Sequence, residues 1–381
     1  MDSFTHLVAG ALTPLAFRNA PKSAVLVLFG LTAGVFPDVD VFFGSSPEAL
    51  MNIHRGLTHA LAVQPVFALL LALPFFALLT RRGPGGSGEG WRPPLRGPGW
   101  RESLGGFGFR GLFLAGLAAL CLHLYLDCMT TFGTRVFLPF SSFRLGLPAM
   151  FIIDILCTLP ALWLLGSALK PRKPAPSGRR EAREAPASPF FPDQTRRYAR
   201  LGLAWLLCYP LACLAVNAAS TLYLESLPAD GASPAEKGRL TLLTEPFSPF
   251  VWKVVEDEGD LCRLGIFDLS AGMLFQNPER FAKPPQSLLD SLAGQAAIFT
   301  SFRDFCAHLI FRETPEETGT LYSFMDLRYV VAEYSPLRLL FGRTKTLFVL
   351  EARVDRQGRL LAYRFLRDSE QRDTPWFVRT E

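Results

Sequence analysis

Charge is scarce in this 381-residue chain: 19% of residues are charged, against 49% hydrophobic. A soluble domain usually carries about 25% charged residues, so a wholly soluble fold is disfavoured. The net charge of +5 comes largely from two basic segments. That pattern fits membrane topology and not a nucleic-acid partner. The seven cysteines are odd in number and form no CxxC pair, and five lie in apolar runs. This excludes a disulfide framework or a cysteine zinc site; only a Cys262–Cys306 bridge stays open. The start, Met1 to His6, lacks the basic n-region and cleavage site of a signal peptide. It is read as retained, which keeps His6. Histidine is rare too: there are five, and His6, His54, His59 and His123 fall in the first third.

What is present is apolar. Residues 4 to 17 and 23 to 36 read as short helices, with Asp2 or Ser3 as a cap and Pro37 as a stop. Both are short of the roughly 20 residues that a span needs. Residues 38 to 59 read as a polar connection. Ala60 to Leu79 is long enough to span, with Pro65 and Pro74 as kinks. Further spans are read from Gly111 to about Cys128, from Ala149 to Leu169 with Asp154 inside, and from about Leu201 to Leu224. Residues 80 to 110 read as a Gly/Pro/Arg-rich loop, and residues 129 to 148 as a structured loop or re-entrant turn.

The expected organisation is a membrane-embedded domain over 1–169, a basic Pro-rich linker over 170–200, a final transmembrane helix over 201–224 and an extramembrane domain over 225–381. The fold class is mainly α: a polytopic helix bundle of about four long spans plus a short N-terminal hairpin, followed by a small α+β domain. In that domain 286 to 310 read as helix and 321 to 331 as strand. Residues 346 to 354 and 359 to 366 read as a hairpin around Asp355-Arg356-Gln357-Gly358. The basic loops at 81–110 and 170–183 are separated by two spans. The positive-inside rule then makes both cytoplasmic. The His- and Asp-bearing ends and the C-terminal domain fall on the non-cytoplasmic side.

Those ends carry the chemistry. His123 and Asp127 are four apart on a helix and share a face. Asp38 and Asp40 flank one residue after Pro37. His54 and His59 are separated by Gly56, which lets the backbone turn. Imidazole and carboxylate together suit a borderline divalent cation. Ionised carboxylates near hydrocarbon need a partner, and only Arg55, Arg135 and Arg144 are at hand. Each piece has a plainer reading: a His–Asp hydrogen bond, a helix cap at Asp38, an Asp154–Arg144 pair. The threonines at 130, 131 and 134 can simply cap helices. Their convergence favours a metal site with His6, Asp38, His54, His59, His123 and Asp127 as ligands. Asp38, Asp40 and Arg55 are the candidate catalytic groups: a carboxylate as base and a guanidinium for phosphate.

At Asp2-Ser3-Phe4-Thr5-His6, Pro37-Asp38-Val39-Asp40, His54-Arg55-Gly56-Leu57-Thr58-His59 and His123-xxx-Asp127-xx-Thr130-xx-Gly133-Thr134 the sequence resembles the LexA-regulated, inner-membrane-bound metal-dependent hydrolases of bacteria. The likeness covers about the first 165 residues. Residues 246–252 and 326–329 resemble a longer branch with an extra domain. The resemblance implies a bacterial inner-membrane protein with a divalent-metal centre and hydrolase activity. The expected cofactor is a divalent metal, zinc first, with manganese or iron as alternatives. The expected partners are the lipid bilayer and a phosphoester or lipid-linked substrate. The alternative is a non-enzymatic protein with a structural metal, whose C-terminal domain binds an envelope partner.

Overall fold

A computed structural model describes residues 1–44, 51–80, 107–170, 191–227, 238–332, 335, 346–369 and 373–378. The chain divides into two compact units. The first comprises Met1–Asp40, Arg55–Gly146 and Ile152–Leu211; the second comprises Val41–His54, Leu147–Phe151 and Ala212–Glu381.

The first unit is helical. Helix α1 (Ser3–Leu15) begins where Asp2 accepts the Thr5 N–H. Helix α2 (Ala24–Val35) begins where Ser23 accepts the Val25 N–H. These short polar side chains satisfy amides that no helical turn can. Pro37 does not end the second segment as expected. A 3-10 run, Phe36–Phe43, continues it, giving a 20-residue stretch from Ala24 to Phe43 that is apolar apart from Asp38, Asp40 and Thr32. Helix α3 (Gln64–Thr80) follows two single 3-10 turns, Leu57–His59 and Leu61–Val63. Pro65 sits in its first turn, where a missing N–H costs nothing. Helix α4 is Gly108–Cys128, α5 is Ile155–Leu169 and α6 is Asp193–Ser226.

Among the described residues, four helical stretches are long and apolar enough to cross a membrane: Ala24–Phe43, Leu61–Leu79, Gly108–Cys128 and Asp193–Ser226. The expected span from Ala149 to Leu169 is corrected. Its helix starts only at Ile155 and has 15 residues. Asp154 is not inside it but caps it, accepting the Cys157 N–H at 2.9 Å and the Tyr209 hydroxyl at 3.1 Å. The last helix starts at Asp193, so residues 193–200 of the expected linker are helical. Most of the expected loop at 80–110, and residues 171–190 of the linker, lie outside the described residues.

Glycine decides how closely α1 and α2 approach. A Cβ on Gly10 would lie 2.2 Å from the Gly30 carbonyl oxygen, and one on Gly34 would lie 2.2 Å from that of His6. The neighbours are backbone and cannot rotate away. The Gly30–Gly34 spacing therefore works as small residues do between membrane helices, letting two backbones touch.

The second unit holds a nine-stranded antiparallel sheet with strands in sequence order. Its strands are β1 (Arg239–Thr244), β2 (Val251–Asp257), β3 (Leu261–Asp268), β4 (Gly272–Ala282), β5 (Leu309–Glu316), β6 (Gly319–Asp326), β7 (Leu347–Asp355), β8 (Leu360–Asp368) and β9 (Phe377–Val378). The helix expected over 286–310 is two short ones, α7 (Gln286–Ala293) and α8 (Ala297–Phe305), split by a turn at Gly294. Residues 309 and 310 belong to β5 instead. The strand expected at 321–331 is β6 and stops at Asp326. The expected hairpin is β7–β8. Its turn is built by the Asp355 carboxylate, which accepts the Gln357 and Arg359 amides, and by Gly358 at φ +82°. Phe302 of α8 packs against Phe365 of β8, and Phe305 against Tyr329 in the turn after β6. Cys262 and Cys306 are free thiols.

Asp326 and Arg328 form the best-defined buried ion pair of this unit. The Arg328 Nη2–Asp326 Oδ2 distance is 2.8 Å, with both side chains nearly inaccessible. The carboxylate also accepts the Ala307 and Arg328 amides. Burial raises the Asp326 carboxyl, but the Arg328 charge and these hydrogen bonds outweigh it and hold it below the usual carboxylate range. A lowered folded pKa stabilises the fold above the unfolded value of about 3.9, and that stability is lost as pH falls below it. Asp326→Ala strands a buried guanidinium and should cost about 3–5 kcal/mol. Denaturant unfolding followed by β-sheet circular dichroism checks this. An unshifted midpoint would contradict the reading.

Candidate metal centre

Three segments of the first unit meet at one place. The 3-10 run after α2 brings Asp38, the turn before α3 brings His59, and the last turns of α4 bring His123 and Asp127. One ligand atom from each lies within 4.8 Å of all the others. His59, His123 and Asp127 are buried, and the Asp38 side chain retains 19% exposure. Asp38 is therefore the edge through which the cluster meets its surroundings.

The ring tautomers follow from what each outer nitrogen touches. His123 Nδ1 lies 2.7 Å from the Gly34 carbonyl oxygen. A carbonyl only accepts, so Nδ1 carries the proton and Nε2 presents a lone pair. His59 Nδ1 lies 3.3 Å from Asp40 Oδ2 and 3.0 Å from Thr58 Oγ1. The Asp40 carboxylate again draws the proton to the outer nitrogen. The two Nε2 atoms then face each other at 3.2 Å. Two lone pairs at that distance repel unless a proton or a metal cation stands between them. Around the same point lie Asp38 Oδ1, 3.3 and 3.6 Å from the two Nε2 atoms, and Asp127 Oδ2, 3.3 and 3.5 Å from them. Tetrahedral ligands at the bond lengths usual for zinc sit ~3.3–3.6 Å apart, so the spacing fits such an ion.

Asp127 divides its two oxygens. Oδ1 takes the Met1 amino nitrogen at 2.5 Å, Arg55 Nη2 at 2.9 Å and His6 Nε2 at 3.2 Å. Oδ2 is buried with no hydrogen-bond partner. A buried carboxylate oxygen without a hydrogen-bond donor, 3.3 and 3.5 Å from two imidazole nitrogens, fits the ligand set of a cation. His6 stacks on His123 with ring centroids 3.7 Å apart, and its Nδ1 is likewise buried without a partner.

The remaining residues singled out by sequence have other positions. His54 is half-buried, belongs to the second unit and is not a member of the four-residue cluster. The turn that was expected at Gly56 is made by Arg55, at φ +55°. Asp40 Oδ2 accepts the Arg55 N–H at 3.0 Å and the Thr58 hydroxyl at 2.7 Å. That oxygen is engaged within the fold, beside His59 Nδ1. Arg55 is buried, bonds Thr130 Oγ1 at 3.2 Å and lies over the Phe132 ring at 4.7 Å. Its guanidinium faces Asp127, where a free phosphate clamp was expected. Thr58, Thr130 and the Gly34 carbonyl went unassigned as site groups in the sequence. Only the Gly30-xxx-Gly34 spacing could have signalled the last.

Several apolar spanning helices whose ends converge on a His/Asp cluster define a polytopic membrane protein with a candidate metal centre. The chain belongs to the YdjM inner membrane protein family, whose model matches residues 1–221. This agrees with the resemblance read from the motifs, and the extra C-terminal domain fits the remaining length. No curated protein and no solved structure matches it.

Proposed function

We propose that the protein is a metal-dependent hydrolase acting at the membrane surface on a phosphoester of a lipid or lipid-linked molecule. The observation that carries this reading is the pair of opposed Nε2 atoms at 3.2 Å, flanked by Asp38 and the unpartnered Asp127 oxygen. Asp38, His59, His123 and Asp127 would hold the cation, and His6 braces the cluster through Asp127. A divalent cation there, zinc first and manganese or iron next, supplies Lewis acidity that polarises a scissile bond and acidifies water. Asp38 alone of the four reaches the outside, so it is the group placed to accept a proton from incoming water. Asp40 and Thr58 fix the His59 ring. Arg55 holds Asp127 ionised and in place, and acts as a positioning residue.

With α4 and α5 both crossing, the two basic loops share the cytoplasmic side by the positive-inside rule, and the cluster and the C-terminal domain would lie on the other side. Burial of three of the four ligands favours a second reading. In it the ion is structural and pins the helix ends together, with the C-terminal domain engaging an envelope partner. A closed shell with no exchangeable position marks that case.

The deciding experiment is turnover of vesicle-borne phosphoesters by purified wild type, His59→Ala and Asp127→Ala. The hydrolase reading expects wild-type activity that both variants lose while the sheet domain keeps its circular dichroism. Full turnover by both variants would sink it.

A further inference from the structure

The loop after α4 is neither part of the metal cluster nor packed like a connection. Its base is closed by paired backbone hydrogen bonds between Thr134 and Leu145, both 2.9 Å. Val136 packs with Leu145 against Leu124 and Cys128 of α4. Two more backbone bonds tie the base to the site segment. Arg135 N–H donates to the Arg55 carbonyl, and Leu61 N–H donates to the Val136 carbonyl, each at 3.0 Å. Leu61 is the first residue of a candidate span, Leu61–Leu79.

Beyond this base the tip turns outward. From Val136 to Phe143 the sequence carries no charge. Phe137, Phe140 and Phe143 are 44%, 89% and 60% exposed. Three phenylalanines on an eight-residue tip would be a poor surface in water. The tip is joined by hydrogen bonds to the point where a span enters the membrane. Leu57, Leu61 and Val66 beside that point are exposed as well. The apolar tip is therefore continuous with the lipid-facing surface of α3.

We propose that residues 136–143 form a re-entrant wedge whose phenylalanines lie among lipid acyl chains, at the membrane level of the metal cluster. Its occupant is the bilayer itself. The irregular backbone is tolerated there because the tip turns on itself: Leu138 N–H donates to the Arg135 carbonyl, the Phe140 and Ser141 N–H groups donate to the Phe137 carbonyl, and Pro139 has no N–H to satisfy. If the cluster acts on lipid-linked molecules, a substrate would then be able to approach it laterally with its acyl chains still in the membrane. That substrate consequence rests on the hydrolase reading; the insertion does not.

The test places p-benzoylphenylalanine at Phe140 and, separately, at Phe143 in the full chain. The protein is reconstituted in phosphatidylethanolamine/phosphatidylglycerol vesicles and irradiated. Leu70, exposed on α3, is the lipid-facing reference, and Leu361, exposed on β8, is the background. The expected result is a phospholipid mass adduct from 140 and 143 at a yield comparable to Leu70 and several-fold above Leu361. Adducts joining two chains, or none with lipid while Leu70 gives them, would overturn the wedge. Repeating Phe140 in the His59→Ala background separates the two ideas: adducts should persist there whether or not the metal is catalytic.

Discussion

Detergent-purified His59→Ala protein should carry only background metal, whereas wild type carries a near-stoichiometric amount of one divalent ion. His59 Nε2 lies 3.2–3.3 Å from His123 Nε2, Asp38 Oδ1 and Asp127 Oδ2, so removing the ring opens every side of the cluster. His54→Ala is the informative comparison. His54 shares the same His-Arg-Gly-Leu-Thr-His segment but is not in the cluster, and its variant should keep the metal. Asp40→Ala should fall between them. It removes the carboxylate that orients His59 Nδ1, and the loss of such an outer partner typically weakens metal affinity by about 10–100-fold. Elemental analysis across a dialysis series distinguishes the three. Equal metal in wild type and His59→Ala would show that the cluster is only a buried polar network.

Gly34→Ala should do comparable damage without touching a ligand. The added carbon would sit 2.2 Å from the His6 carbonyl oxygen and 2.9 Å from Gly10 Cα. Both neighbours are backbone, so α1 and α2 must part. That separation carries away His6, which braces Asp127, and the Gly34 carbonyl, which sets the His123 tautomer. Overpacking of this kind costs about 1–3 kcal/mol, and a shifted tautomer adds lost metal. Gly166→Ala, in α5, is the control. There nothing lies within 4 Å of the added Cβ. Thermal unfolding in detergent with parallel metal analysis should rank wild type and Gly166→Ala together and Gly34→Ala well below. A Gly34→Ala protein that melts and binds metal like wild type would refute the close-packing argument.

The helical unit was legible because membranes impose one long apolar signal per span. The ends of those spans were legible because charged and imidazole groups stand out against them. His123 and Asp127 were found by a four-residue spacing that a helix turns into one face. His54 misled because identical side chains five apart look symmetrical. The left-handed turn at Arg55, which no residue type announces, separates their surroundings. Arg55 and Asp40 were read as reactive because sequence shows a charge but not its partner. Both turn out to be occupied in holding ligands. Backbone groups such as the Gly34 carbonyl leave no trace in side-chain chemistry.

The sheet was harder. The β7–β8 hairpin was visible from its turn. Strands β2 and β3 were not, because Trp252 to Glu256 and Leu264 to Phe267 are each buried without a break. A strand covered on both faces loses the period-two pattern that identifies it. The third long apolar segment starts its helix later than expected for a local reason: Asp154 offered its carboxylate to the Cys157 amide and capped the helix there.

The rings of the cluster are each clamped from behind, by the Gly34 carbonyl on one side and by Asp40 with Thr58 on the other. Three of its four ligands are sealed in the helix bundle. An ion held this way cannot leave by loosening one bond at a time; the helix ends must separate first. If the cluster holds a metal, its exchange would then be tied to local unfolding of the bundle and would be slow. Occupancy would record which cation was available when the helices came together during biogenesis, and later changes in supply would barely alter it.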